Sequence, residues 1–275
     1  MEAYRKKING IELYYEYYHH SPEVKTIVLI HGFLSSTFSF RRLHPFLKQD
    51  FNIVSIDMPP FGKSSKSTRF NYSYENVAKT VISFIESLQL KDVVLIGHSL
   101  GGQVCLHISH LRPDFADKSI LLCSSAYLRR PKTSLVLLSY LPFFHIAVKK
   151  QLARSGLLEN LQKVVYDHSL IDDEMMSGYL QPFLEEDIFR ALTRMIRDRE
   201  NDLSGQQLNE INTPCLLIWG EHDRVVPLSV GNRLHQDLKN SKLIVLKETG
   251  HLVPEERPED VFAHIKDFVL ENHVS

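Results

Sequence analysis

Val93-Val94-Leu95-Ile96 runs straight into Gly97-His98-Ser99-Leu100-Gly101, and this junction constrains the fold more than any other part of the chain. Four consecutive β-branched or aliphatic residues read as a short strand covered on both faces, as in a parallel sheet. The segment 102–111 is helix-compatible and stops ahead of Pro113. A serine on the sharp turn between such a strand and such a helix has its hydroxyl pushed out of the sheet and into a cleft. The flanking glycines fit, because so tight a turn leaves no room for a Cβ. Behind the serine, the helix N-terminus offers free N–H groups to negative charge developing there.

The same alternation runs through the first half of the chain. Residues 4–8 and 12–17 are strand-like around Asn9-Gly10, a strong hairpin signal. Residues 26–30 and 51–56 are apolar strand candidates, 74–90 carries Val77, Val81, Ile85 and Leu88 at helical spacing, and 119–123 closes this half. Residues 37–48 read as mostly helical, interrupted by Pro45. From 127 to 209 there are helical patterns, at 152–165 and 188–197, and no convincing strand. Alternation resumes with a strand at 214–219, a helix at 228–238, a strand at 242–246 and a helix at 258–270. The expected fold is α/β, a mostly parallel doubly wound sheet with an all-helical cap inserted after the sixth strand. The expected domains are a core in two parts, 1–126 and 210–275, with the cap at 127–209.

Composition narrows the function. With 32 basic against 33 acidic residues, a net charge of -1 and no long like-charge run, no nucleic-acid surface is expected. Residues 1–7 lack the apolar core of a signal peptide, and no run approaches the ~18 apolar residues of a membrane span. Cys105, Cys123 and Cys215 sit in apolar segments, which reads as reduced thiols and a cytoplasmic protein. The 14 histidines show no metal-binding spacing, so neither metal nor cofactor is expected.

Four segments appear in order across nearly the whole chain: His31-Gly32-Phe33, 57–64, Gly97 to Gly102, and Gly220-Glu221-His222-Asp223 followed by Gly250-His251. With these the chain resembles a capped α/β-hydrolase of the serine esterase and lipase-like branch. Asp223 and His251 each follow a strand, in the chain order serine, acid, histidine that this fold uses. The resemblance implies Ser99 as nucleophile, His251 as general base and then acid, and Asp223 as its orienter, with Glu221 the nearest rival carboxylate. It implies oxyanion donors at the backbone N–H groups of Leu100 and Phe33. His31 and His98 are expected to be structural, His31 through a backbone hydrogen bond.

One apolar run lies outside these motifs, at 134–148. It is too short to span a bilayer and is broken by Pro142. As a cap helix it would pack on the core. Its Leu138, Leu141, Phe143 and Phe144 are also candidates for an apolar acyl pocket, and a smaller weight falls on contact with a membrane surface. The expected activity is hydrolysis of a small, largely apolar ester or related acyl compound through an acyl-enzyme. A C–C bond hydrolase of dienoic acids and a slow-turnover ligand sensor are the alternatives. The expected partner is a small molecule; the sequence does not fix the oligomeric state.

Overall fold

The computed structural model describes residues 1–154 and 156–271. Asn9 and Gly10 both take positive φ, 49° and 80°, which matches the twist of the strands they join. They connect β1 (Glu2–Ile8) to β2 (Ile11–Tyr18) in an antiparallel hairpin with Ile8 opposite Ile11. β3 (Thr26–Ile30), β4 (Asn52–Ile56), β5 (Val93–His98), β6 (Ala116–Leu122), β7 (Cys215–Gly220) and β8 (Ser241–Leu246) complete one eight-stranded sheet. Its order is β1-β2-β4-β3-β5-β6-β7-β8, and from β4 onward every pairing is parallel. Every residue of β3, β4, β5 and β7 is buried, so these strands read as mainly apolar runs, broken in β4 by Ser55, instead of alternating ones.

The helices are α1 (His44–Leu47), α2 (Tyr74–Ser87), α3 (Leu100–Leu111), α4 (Thr133–Leu138), α5 (Phe144–Ala153) and α6 (Leu157–Val164). They continue with α7 (Asp173–Leu180), α8 (Asp187–Asp198), α9 (Gly205–Asn209), α10 (Leu228–Asp237), α11 (Val253–Glu256) and α12 (Pro258–Leu270). Between β6 and β7 the described residues contain helices and no strand.

Three helical readings need correction, each for a local reason. Residues 37–48 form a 3₁₀ turn at Thr37–Phe40, capped by the Ser36 side chain, and then α1, whose first turn holds Pro45. Proline lacks the N–H that a first turn leaves unused, so Pro45 helps start this helix and does not interrupt one. The apolar run 134–148 splits into α4 and α5, because Phe143 takes φ 63° directly after Pro142. The 152–165 pattern straddles Gly156, at φ 69°, and so belongs to the end of α5 and to α6.

Candidate active site

Ser99 follows β5, Asp223 follows β7 and His251 follows β8, so three parallel strands deliver the three side chains to one edge of the sheet. Ser99 caps α3 with φ 51° and ψ −113°, a conformation costing a non-glycine residue about 1–3 kcal/mol. The surroundings hold it there. Its N–H donates to Leu122 O at 2.9 Å, and its carbonyl accepts from the Gly102 and Ser125 N–H groups, both at 3.0 Å. The glycines permit the close approach: a Cβ on Gly101 would lie 2.0 Å from Ile30 O, and one on Gly97 would lie 2.3 Å from Gly101 O.

Asp223 Oδ2 lies 2.7 Å from His251 Nδ1, and both residues are buried. Asp223 Oδ1 accepts the Val225 and Val226 N–H groups, both at 2.8 Å, which fixes the carboxylate plane. A carboxylate at that distance takes the Nδ1–H of a neutral imidazole and leaves Nε2 with its lone pair. Glu221, the rival carboxylate, is exposed and faces His222 at 3.6 Å.

The backbone of His251 is held on both sides. Its N–H donates to Val164 O of α6 at 2.7 Å. Its carbonyl lies 2.9 Å from His98 Nε2, and since a carbonyl only accepts, His98 carries its proton on Nε2. Glu256 binds the Gly250 and Tyr166 N–H groups through its two oxygens, tying the histidine loop to the chain after α6. None of these ties has a sequence motif, because most end on backbone atoms. Burial holds His98 neutral, pushing its pKa down to about 3.

His31 is anchored as the sequence suggested. The Met58 N–H donates to its Nε2 at 2.9 Å, so Nδ1 carries the proton and donates to Gly32 O at 2.7 Å. Burial lowers its pKa to about 4. This fixes the turn that presents Phe33, whose ring packs edge-on against Phe61. Among the described residues, neither the Phe33 nor the Leu100 backbone N–H has a protein acceptor.

Cys123, at φ 44°, was not anticipated here: its sulfur, a carboxylate oxygen of Asp223 and a ring nitrogen of His251 lie within 4.8 Å of one another. Such a trio can suggest a metal site. However, burial raises the Cys123 thiol well above its ordinary range, and the Asp223 oxygens are already engaged. A protonated thiol packed behind the pair fits these contacts.

A cavity of about 760 Å³ opens over Ser99, with Phe33 and Leu100 in its wall; Asp223 and His251 do not line it. The wall is mainly aliphatic and, among the described residues, Arg199 is its one charged side chain. Of the four pocket candidates, only Phe144 lines this cavity. Leu138, Leu141 and Phe143 are exposed, which corrects the expectation. The break at Phe143 turns α5 so that Phe144, Ala147, Val148, Gln151 and Leu152 face inward, at helical spacing. Leu192, Met195, Ile196 and Arg199 of the α8 region form the facing wall with the same period. The helix at 188–197 was visible in the sequence; α5 and the faces that turn inward were not.

Comparison with known proteins adds the following. A family model described as alpha/beta hydrolase fold matches residues 25–258. The uncharacterized hydrolase YugF of Bacillus subtilis (strain 168) is 50% identical over 265 residues, covering 96% of this chain and 97% of that protein. A 2-hydroxy-6-oxononadienedioate/2-hydroxy-6-oxononatrienedioate hydrolase of Paraburkholderia phymatum is 27% identical, over 94% of this chain and 92% of its own. The structure of a thermophilic esterase from Thermogutta terrifontis superposes with a TM-score of 0.78 at 20% identity, over 98% of both chains, which speaks to the fold alone.

Proposed function

Since the chain belongs to the α/β-hydrolase fold family, we propose that it is a serine hydrolase of small, largely apolar esters or related acyl compounds. The observation carrying this reading is the buried Asp223–His251 pair at 2.7 Å, on the strand edge that also holds Ser99 in its strained turn. In this reading the 127–209 segment acts as a cap whose α5 and α8 wall the acyl site.

Ser99 Oγ attacks the carbonyl carbon while His251 Nε2 takes the hydroxyl proton. Asp223 keeps that nitrogen basic by occupying the other one, and it stabilises the imidazolium that forms. Negative charge moves onto the former carbonyl oxygen, which accepts from the Phe33 and Leu100 N–H groups. Collapse expels the alkoxide, which takes the proton from His251. Water, deprotonated by the same nitrogen, then attacks the acyl-enzyme and releases the acid. No step needs a cofactor.

A C–C bond hydrolase of dienoic acids is the second reading, favoured by the Paraburkholderia phymatum relative and by Arg199, a cation suited to a substrate carboxylate. The aliphatic wall favours the ester. Paired assays decide: release of alcohol from an acyl-length series of esters, and loss of the ultraviolet-visible absorbance of a dienoic acid. Ser99→Ala should abolish turnover by ~10⁶ in kcat with folding intact, and a fluorophosphonate should label Ser99 alone. Parent-like turnover by the alanine variant would refute the assignment. Labelling without sustained turnover would identify a sensor.

A further inference from the structure

α4 and α5 contain no wholly buried residue, which is unusual for two helices of an enzyme domain. Their inner side lines the cavity through Leu135, Phe144, Val148 and Leu152. Their outer side and the link between them expose Leu137, Leu138, Tyr140, Leu141, Phe143 and Ile146, with Phe143 72% and Leu137 65% accessible. Isolated exposed apolar residues are ordinary; a run of them within ten residues is a contact surface.

Charge identifies what it contacts. From 119 to 158 the chain has no Asp or Glu, yet Arg129, Arg130, Lys132, Lys149, Lys150 and Arg154 all lie there, all exposed. Of these, Lys149 reaches Glu186 beside α8. Next to the crest, a hollow of about 170 Å³ adds His145, Arg190, Arg194 and Arg197, of which Arg190 pairs with Asp187, Arg194 with Asp198, and Arg197 is held by Ser139. A second copy docking through this face would bring like charges together. An anionic surface that accepts apolar side chains is the complement, and an apolar crest ringed by Lys and Arg is the pattern of interfacial binding. Among the described residues no helix is long and apolar enough to cross a membrane, so the hairpin would lie on the surface.

We propose that the α4–α5 hairpin docks the protein on anionic phospholipid, with Leu137, Leu141 and Phe143 among the acyl chains and the flanking cations among the phosphates. On the ester-hydrolase reading, this places the cavity wall beside lipid, so an apolar acyl substrate can enter without crossing water. The docking itself needs no catalysis, so it is tested on Ser99→Ala protein. Co-sedimentation uses vesicles of phosphatidylglycerol with phosphatidylcholine, and of phosphatidylcholine alone. The protein should pellet with the anionic vesicles, less so as salt rises, and weakly with the neutral ones. Arg129→Gln with Arg130→Gln should lower the partition coefficient about tenfold to thirtyfold, each cation contributing about fivefold. Leu137→Ser with Phe143→Ser should lower it by at least about tenfold, with unchanged circular dichroism and melting temperature because both side chains are already in water. Failure to pellet with anionic vesicles, or equal pelleting of parent and both double variants, would overturn the proposal. So would a dimer in light scattering that the serine variant dissolves, which would assign the crest to a second copy.

Discussion

His98 offers a test in which stability and activity move differently with pH. Its Nε2–H donates to the carbonyl of His251 at 2.9 Å, its Nδ1 has no partner among the described residues, and the ring is buried. His98→Phe keeps the ring volume and removes both the hydrogen bond and the titration. At pH 7.5 the variant should lose about 1–3 kcal/mol, the cost of leaving a buried carbonyl unpaired. Burial lowers the pKa of His98 to about 3 from 6.5, so the unfolded chain takes up the proton first as pH falls. Stability from this site is therefore complete above pH 6.5 and is lost progressively toward pH 3. At pH 5 the parent has lost about 2 kcal/mol through it, from ~1.5 pH units at 1.36 kcal/mol each. The phenylalanine variant has no such loss, so its deficit should nearly vanish at pH 5. Urea unfolding at pH 7.5 and 5 measures this directly. Activity should not recover in parallel: without its tether His251 shifts, and kcat should fall by up to ~10²-fold at both pH values with KM little changed. His98→Gln, whose amide can still donate to the carbonyl, should restore part of kcat while also lacking the titration. A deficit equal at the two pH values, or an unaltered kcat in the phenylalanine variant, would refute the reasoning.

Other substitutions probe the remaining parts of the site. Asp223→Asn should lower kcat by up to ~10⁴ by favouring the wrong imidazole tautomer, whereas Glu221→Gln should leave kcat unchanged in the same assay. Val148→Phe narrows the aliphatic wall of the cavity; kcat/KM for the longest accepted acyl chain should fall ~10–200-fold per excluded methylene, with short esters spared. Glu255, buried four residues beyond His251, pairs with Arg41 and Arg42 and accepts from the Tyr179 hydroxyl of α7. Glu255→Gln leaves Arg41 paired with Glu174 and Arg42 with Asp172, and should cost about 1–3 kcal/mol in chemical denaturation, with substrate preference unchanged.

What could be read from the sequence follows from where the information sits. β3, β4, β5 and β7 are buried throughout, so their apolar runs are visible without knowing the fold. The positions of Ser99, Asp223 and His251 were legible because each follows the end of a strand of one sheet, Ser99 immediately and the other two within a short loop. The loop proposed to bind the oxyanion was legible only in part: His31-Gly32-Phe33 marks it, but the Met58 N–H that fixes the His31 tautomer comes from a separate loop. The cavity wall was misread because a single left-handed residue, Phe143, decides which face of α5 turns inward. The ties on His251 were invisible, since Val164 contributes a carbonyl that any residue would supply.

This division has a consequence for how the protein can change. The reacting atoms depend on backbone geometry at the ends of β5, β7 and β8, where glycines sit against other backbone and tolerate no Cβ. The cavity wall depends instead on side chains of α5 and α8, where a change of volume meets cavity and not backbone. Substitutions at Gly97 or Gly101 should therefore abolish folding and activity together. Substitutions at Val148, Leu152 or Met195 should move substrate preference while the chemistry persists. Contacts cross this division near α6, among them the Val164 carbonyl, which binds the His251 N–H at 2.7 Å. On the proposed mechanism, displacing α6 would disturb the general base without touching the side chain of Ser99, Asp223 or His251, so the helices between β6 and β7 would bear on reactivity through this contact as well as on size selection.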